Sequence, residues 1–354
     1  MKENTVTLED WDWCIDDESR LVPWFHVLPE VEKKYTVRAD ANTRVFRVQD
    51  SQKRTYFVKH ISPNGLKEHL IAFFSTKAKL LYESAELLRS AGIPCAEYPG
   101  WAKNGTESMT LSVEIPDTLT ALEYWFRTIT HNTALRREFV ANLAKLVASY
   151  SYASIVQRDL TLKHILIKNN GSALFIINPC EVERIDGPLS RDEQLALLKP
   201  FTELRGEISP ETLSIALLEN GFAENSQDAS ELIHEVIDSV EEEIEENDWP
   251  EISNRLLTEE SWALSRILYD GDNVIHLRNT IWHSEIPVPD DSNSLAEYVS
   301  AEEAEQIWLD SFKAQLLRRH CPRVPLSWER RADGKNIVRY AATYDGILAC
   351  GFNQ

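Results

Sequence analysis

The stretch from Arg158 to Ile177 limits the possible folds of this chain more than any other. Ile165-Leu166-Ile167 and Leu174-Phe175-Ile176-Ile177 are short apolar runs, and Asn169-Asn170-Gly171 lies between them. Turn residues between two β-rich runs predict a compact hairpin. Just ahead of it, Arg158-Asp159 stands five residues before the polar His164. The pattern places a carboxylate on a loop and a second polar side chain at the entry to the first strand.

The rest of the chain reads as alternating β and α segments. In residues 34–61, Tyr35-Thr36-Val37 and Val45-Phe46-Arg47-Val48 alternate, 49–54 is a polar turn, and Thr55-Tyr56-Phe57-Val58-Lys59 is a further strand. Ala78, Leu80, Leu81, Ala85, Leu87, Leu88 and Ala91 predict a helix over 75–91, stopped by Gly92 and blocked by Pro94. Met109 to Ile115 reads as a strand. Helices are expected near 119–128, 134–150, 190–204 and 210–220. Residues 226–248 form an acidic amphipathic helix, with Trp249-Pro250 expected to end it. A mixed segment fills 251–354. Its Gln315-Leu316-Leu317-Arg318-Arg319-His320-Cys321-Pro322 echoes Glu86-Leu87-Leu88-Arg89-Ser90-Ala91-Gly92-Ile93-Pro94, each followed by a Trp (Trp328, Trp101) and then a Gly (Gly334, Gly105). The echo is either a partial repeat or a chance likeness between two helix–turn–strand units.

Composition excludes several classes. With 354 residues and 43% hydrophobic content, the chain can bury a sizeable core. Its net charge of −20 opposes nonspecific binding to nucleic acid or anionic lipid, while leaving room for a local cationic pocket. Five scattered cysteines suit a reducing, cytoplasmic setting. No apolar run approaches the roughly 20 residues of a bilayer span, so any membrane contact is expected to be at most peripheral.

The frame Arg-Asp, four residues, polar residue is that of the catalytic loop of protein kinases. In that frame Asp159 orients and deprotonates an acceptor hydroxyl, or is simply a loop or capping Asp. His164 takes the place of a metal-binding Asn, with a structural hydrogen-bonding role as the alternative. Lys59 closes a strand after a hairpin, where such folds clamp the α- and β-phosphates; an exposed edge-strand Lys is the bland alternative. Asn178 occupies the position of the metal-loop Asp.

Taken together, Thr43 to Val48, Tyr56-Phe57-Val58-Lys59, Ala91 to Cys95, Val113-Glu114-Ile115, Arg158-Asp159-Leu160 and His164-Ile165-Leu166 resemble the bacterial lipopolysaccharide kinases, which phosphorylate Kdo or heptose of the lipopolysaccharide core. The resemblance implies an α+β, bilobal protein-kinase-like fold with a mixed α/β C-terminal extension. Residues 1–115 would be a β-rich small lobe, 116–225 the large lobe, and 226–354 the extension, with a partial small-lobe repeat. It implies ATP and Mg2+ as cofactors and a sugar or glycolipid acceptor. Lys59, Glu114 and Ile115 would hold the nucleotide, Asp159 and Lys59 would serve catalysis, and His164 and Asn178 would bind the metal. The chain departs from the pattern at Gln157, where a His is usual, and at Asn178, where an Asp is usual. The helix Glu that should pair with Lys59 falls near Leu81, with Glu83 as a substitute. These departures make a pseudokinase, a nucleotide-binding or scaffolding module, the alternative to an active phosphotransferase. Arg127, Arg136, Arg137, Arg184 and Arg191 are the candidate contacts for an anionic acceptor.

Overall fold

A computed structural model describes residues 5–21, 23–39, 42–63, 76–129, 132–204, 207–262, 264–281, 284–285, 294–317 and 323–341. Two of the five cysteines, Cys321 and Cys350, and the stretch 318–322 of the echo lie outside these residues. The protein is a mixed α and β structure with antiparallel sheets. It divides into two compact units: 1–200 with 219–222, and 201–218 with 223–354. No helix among the described residues is long and apolar enough to cross a membrane.

The first unit opens with two strands the sequence reading missed, β1 (Thr5–Leu8) and β2 (Trp11–Ile15). Trp11 and Trp13 alternate with acidic residues, which hides the strand, yet both rings are buried. Trp13 meets Phe25 edge to face at 5.4 Å, a favoured arrangement for aromatic quadrupoles. After α1 (Leu28–Tyr35) come β3 (Thr36–Ala39), β4 (Thr43–Gln49) and β5 (Thr55–Ile61). The turn between β4 and β5 is held by Asp50, whose carboxylate accepts from the Gln52 and Arg54 amides and the Tyr56 hydroxyl at 2.8–2.9 Å.

Helix α2 (Lys77–Ser90) buries Ala78, Leu81, Ala85 and Leu88, a stripe at three- and four-residue spacing. Leu80 falls off that stripe and is exposed. Gly92 ends the helix at φ +78°, and the Ile93 amide reaches back to the Leu88 carbonyl at 3.0 Å. The hairpin of β6 (Gly100–Asn104) and β7 (Glu107–Val113) then completes a seven-stranded sheet in the order β1-β2-β6-β7-β5-β4-β3.

Further along, β8 (Thr118–Thr120) leads through Ala121–Glu123 and the π-turn Tyr124–Thr128 to α3 (Thr133–Tyr152) and β9 (Ile155–Gln157). The expected hairpin is β10 (Ile165–Lys168) and β11 (Leu174–Ile176), with β8 on its other side. β12 (Val182–Arg184) pairs with β9, and α4 (Arg191–Thr202) and α5 (Pro210–Glu219) follow.

In the second unit the acidic helix α6 (Ser226–Glu243) is not ended by Trp249-Pro250. A π-turn at Ile244–Asp248 leads into α7 (Trp249–Thr258), where Pro250 occupies the first turn. There its missing N–H would have had no helical partner, so the proline starts a helix and does not break one. Then come β13 (Ser265–Asp270), β14 (Asn273–Arg278), a separate minimal hairpin of β15 (Thr280–Ile281) and β16 (Ser284–Glu285), β17 (Ser294–Val299), α8 (Ala301–Leu316), β18 (Pro325–Arg330) and β19 (Asn336–Ala341). The five-stranded sheet runs β13-β14-β18-β19-β17. Its core is Trp308, Phe312, Leu256, Trp328, Val338 and Tyr340.

Candidate functional site

One cavity of about 430 Å3 lies within the first unit, inside the roughly 300–1,000 Å3 usual for small-ligand sites. Lys59, Glu114, Ile115 and Asn178 all line it, and Val45, Ala96, Val113, Leu166 and Ile177 give it apolar walls. Asp159 and His164 do not line it. Four of the six residues singled out from sequence therefore meet at one cavity, and the other two sit together on the loop that precedes β10.

Lys59 is presented by β5, opposite Val45 on β4 and Thr110 on β7. It is half-buried. Burial is the main cause of its lowered pKa; the charges of Arg38 and Lys77 push the same way, while Cys180 and Asp159 oppose them. Its Nζ donates to Asn178 Oδ1 at 3.5 Å. Neither expected carboxylate partner reaches it. Leu81 is packed in the core, and Glu83 is exposed beside Lys79 at 3.5 Å. Burial pushes the Cys180 thiol up to about 11, so it brings no negative charge to Lys59 at physiological pH.

Asn178 stands at φ +49°, in the left-handed region that Asn tolerates better than most residues. Its amide N–H donates to the Tyr98 hydroxyl at 3.0 Å, which fixes the loop after β11. Tyr98 is buried, so its phenol stays protonated.

Asp159 is held from behind by a residue that sequence reading treated only as a departure. Gln157 is fully buried. Its Nε2 donates to Asp159 Oδ1 at 3.0 Å, and its Oε1 accepts from the Tyr150 hydroxyl at 2.8 Å. A buried amide survives only with its groups satisfied, and here both ends are used to aim one carboxylate. Burial raises the Asp159 pKa; the Gln157 hydrogen bond and the nearby His164 oppose that rise. Replacing Gln157 by Leu should destabilise the fold by about 1–3 kcal/mol, because the Tyr150 hydroxyl loses its partner. It should also raise the Asp159 pKa further. Urea unfolding and an NMR titration of the carboxyl check both; an unchanged Asp159 titration would show that Gln157 does not aim it.

His164 donates Nδ1–H to the Asp159 carbonyl oxygen at 2.7 Å. That bond assigns the proton to Nδ1 and leaves only Nε2 with a lone pair. Magnesium prefers oxygen and is usually held by one or two carboxylates with substrate phosphates. The expected metal pair, His164 and Asn178, offers no negative charge, and the Asn178 oxygen already faces an ammonium. Among the described residues no group of three or more His, Cys, Asp or Glu could hold a metal ion. The donor set does not fit a magnesium site.

The segment between β7 and β8 is pinned at both ends. Glu114 pairs with Arg47 at 2.8 Å and gives its backbone N–H to the Thr55 carbonyl. The Pro116 carbonyl accepts from Lys168 at 2.8 Å. The proposed acceptor-binding arginines do not line the cavity: Arg127 lies by Glu123 at 3.9 Å, and Arg136 stacks on Trp125 at 4.7 Å.

No family model matches the chain, and no curated protein matches it. Among solved structures, the autoinhibited serine kinase domain of the giant muscle protein titin is similar, at 15% identity and a TM-score of 0.35, covering 58% of this chain and 67% of that one. A TM-score of 0.35 is too low to carry any argument about fold or chemistry.

Proposed function

We propose that the first unit binds a nucleoside triphosphate and transfers its terminal phosphoryl group to a hydroxyl, in the manner of a protein-kinase-like phosphotransferase. One observation carries the reading: a single cavity joins the strand cation Lys59, the loop amide Asn178 and the pinned segment at Glu114-Ile115. An adenine would lie between the apolar walls, and its phosphates would reach Lys59. The peptide joining Glu114 to Ile115 is trans, so its carbonyl and N–H point apart and only one of them can serve the base. Asp159, aimed by Gln157 and pushed by burial toward higher pKa, is suited to accept the acceptor's proton. A lipopolysaccharide sugar as that acceptor is supported by the sequence motifs alone.

The second reading is a nucleotide-binding scaffold without turnover. The contact between Lys59 and the neutral Asn178 favours it. A thermal-shift titration with ATP, followed by phosphate release in the wild type and in Asp159→Asn, separates the two. Turnover lost in Asp159→Asn supports the transferase, and binding without such turnover supports the scaffold. No binding of ATP defeats both.

The same variant carries a stability prediction. A carboxyl whose folded pKa is raised binds more protons in the folded state, so it opposes folding as pH rises above its ordinary value, and fully above the raised one. Asp159→Asn should therefore raise Tm at pH 7 by about 1–3 °C. The gain should vanish as the pH falls below the ordinary Asp value. A variant less stable at pH 7 would contradict the stated cause.

A further inference from the structure

We propose that this cavity grips its polyphosphate with a row of side-chain cations and needs no divalent metal to do so. The proposal deepens the nucleotide reading and rests on it. Strand register sets Arg38, Val45, Lys59 and Thr110 directly opposite one another across β3, β4, β5 and β7. Directly opposed residues of antiparallel strands project from the same face. Val45, Lys59 and Thr110 line the cavity, so Arg38 stands on the cavity face as well. It lies two strands from Lys59, about 10 Å along the sheet, close enough for two long side chains to converge on one polyanion.

Lys77, the first residue of α2, adds a third cation. Its charge and that of Arg38 both act on Lys59, and it acts on Cys180, two residues beyond Asn178. Three cations so placed make a local positive patch in a chain of net charge −20. The Arg38 and Lys77 charges disfavour the Lys59 ammonium, and a polyanion beside it offsets that cost. The metal side of the site offers no comparable attraction: neither Asn178 nor His164 brings a negative charge, and the Asn178 oxygen already accepts from Lys59.

Isothermal titration of the full chain with ATP, and separately with inorganic tripolyphosphate, tests the proposal in EDTA and in excess Mg2+. Both ligands should bind in EDTA, and ATP should bind there at least as tightly as with Mg2+. Arg38→Ala, an exposed change, should weaken ATP in EDTA by about 2- to 5-fold. Asn178→Asp should make binding respond to Mg2+. ATP binding that requires Mg2+ in the wild type would leave the nucleotide reading standing and overturn the metal-free grip. ATP silent under both conditions would overturn both.

An independent observation concerns the second unit. Its sheet order β13-β14-β18-β19-β17 repeats β1-β2-β6-β7-β5 of the first, strand for strand and all antiparallel. In each unit a helix follows the last strand of that order and packs on the next hairpin, α2 on β6 and β7, α8 on β18 and β19. The Trp of each middle strand, Trp101 and Trp328, aligns one row of each sheet. Cys14, Trp101, Thr110 and Lys59 are directly opposed in the first unit; His276, Trp328, Val338 and Glu297 are directly opposed in the second. We infer that the second unit is a copy of the first unit's sheet in which the phosphate-binding position has become acidic, so that it takes no nucleotide. Glu297 holds Arg323 at 3.1 Å and would repel a polyphosphate. The same titration reads this out as stoichiometry: one ATP per chain, and no tight site left in Lys59→Met. Two sites in the wild type, or one undiminished site in Lys59→Met, would overturn the inference.

Discussion

Exchanging Lys59 for methionine should weaken ATP binding by roughly 10- to 150-fold, the loss of about 1.5–3 kcal/mol for a charge-assisted contact. Methionine keeps the unbranched stem and removes the ammonium. The unliganded protein should be no less stable, because burial already disfavours the Lys59 charge and its hydrogen bond among the described residues is a long 3.5 Å contact to Asn178. The paired result separates the roles. A residue that only supports the fold would lower Tm and leave the ATP-induced shift intact. A residue that binds phosphate would leave Tm unchanged or raised and abolish the shift. Thermal shift with and without ATP, on both proteins, distinguishes these outcomes.

Acidification should destabilise the second unit through one histidine. His276 is buried, stacked on Trp328 at 4.6 Å, with its Nδ1 lacking a hydrogen-bond partner among the described residues. Burial first, and the Arg330 charge second, push its pKa from 6.5 down to about 4, against a hydrogen bond to the Leu256 backbone. Between those values the unfolded chain binds the proton and the folded chain does not. Stability therefore falls as the pH drops through that window, and below about pH 4 this group adds no further loss. Integrated over the shift, the loss is about 3 kcal/mol. His276→Phe keeps an aromatic ring and removes the titration, so its stability should depend less on pH across the window by that amount. Urea unfolding at several pH values, read as the difference between the two proteins, checks this. Parallel pH profiles would show that His276 is not the acid-sensitive group.

What the sequence disclosed followed from local physics. Gly92 and Pro94 can do little but end a helix, and the runs on either side of Asn169-Asn170-Gly171 can do little but pair. Lys59 ends an alternating run, so its strand was legible, and its neighbours across the sheet followed only once register was known. Trp11 and Trp13 were not legible as core because each sits among acidic residues on a five-residue strand. Pro250 reads equally as a stop or a start, and only the helical residues before it decide. The role of Gln157 lay beyond the sequence because its partners, Tyr150 and Asp159, are selected by packing around β9. The recurrence of the sheet left only a Leu-Leu-Arg helix end followed by a Trp and a Gly at similar spacing, since strand order is a property of pairing and not of residue type.

The most direct measurement is a crystal structure of the full chain soaked with a non-hydrolysable ATP analogue. The account requires the adenine in the cavity beside Glu114-Ile115 and the phosphates within hydrogen-bond reach of Lys59 and on the Arg38 side of β5. A nucleotide bound on another surface, or this cavity left empty at saturating analogue, would contradict it.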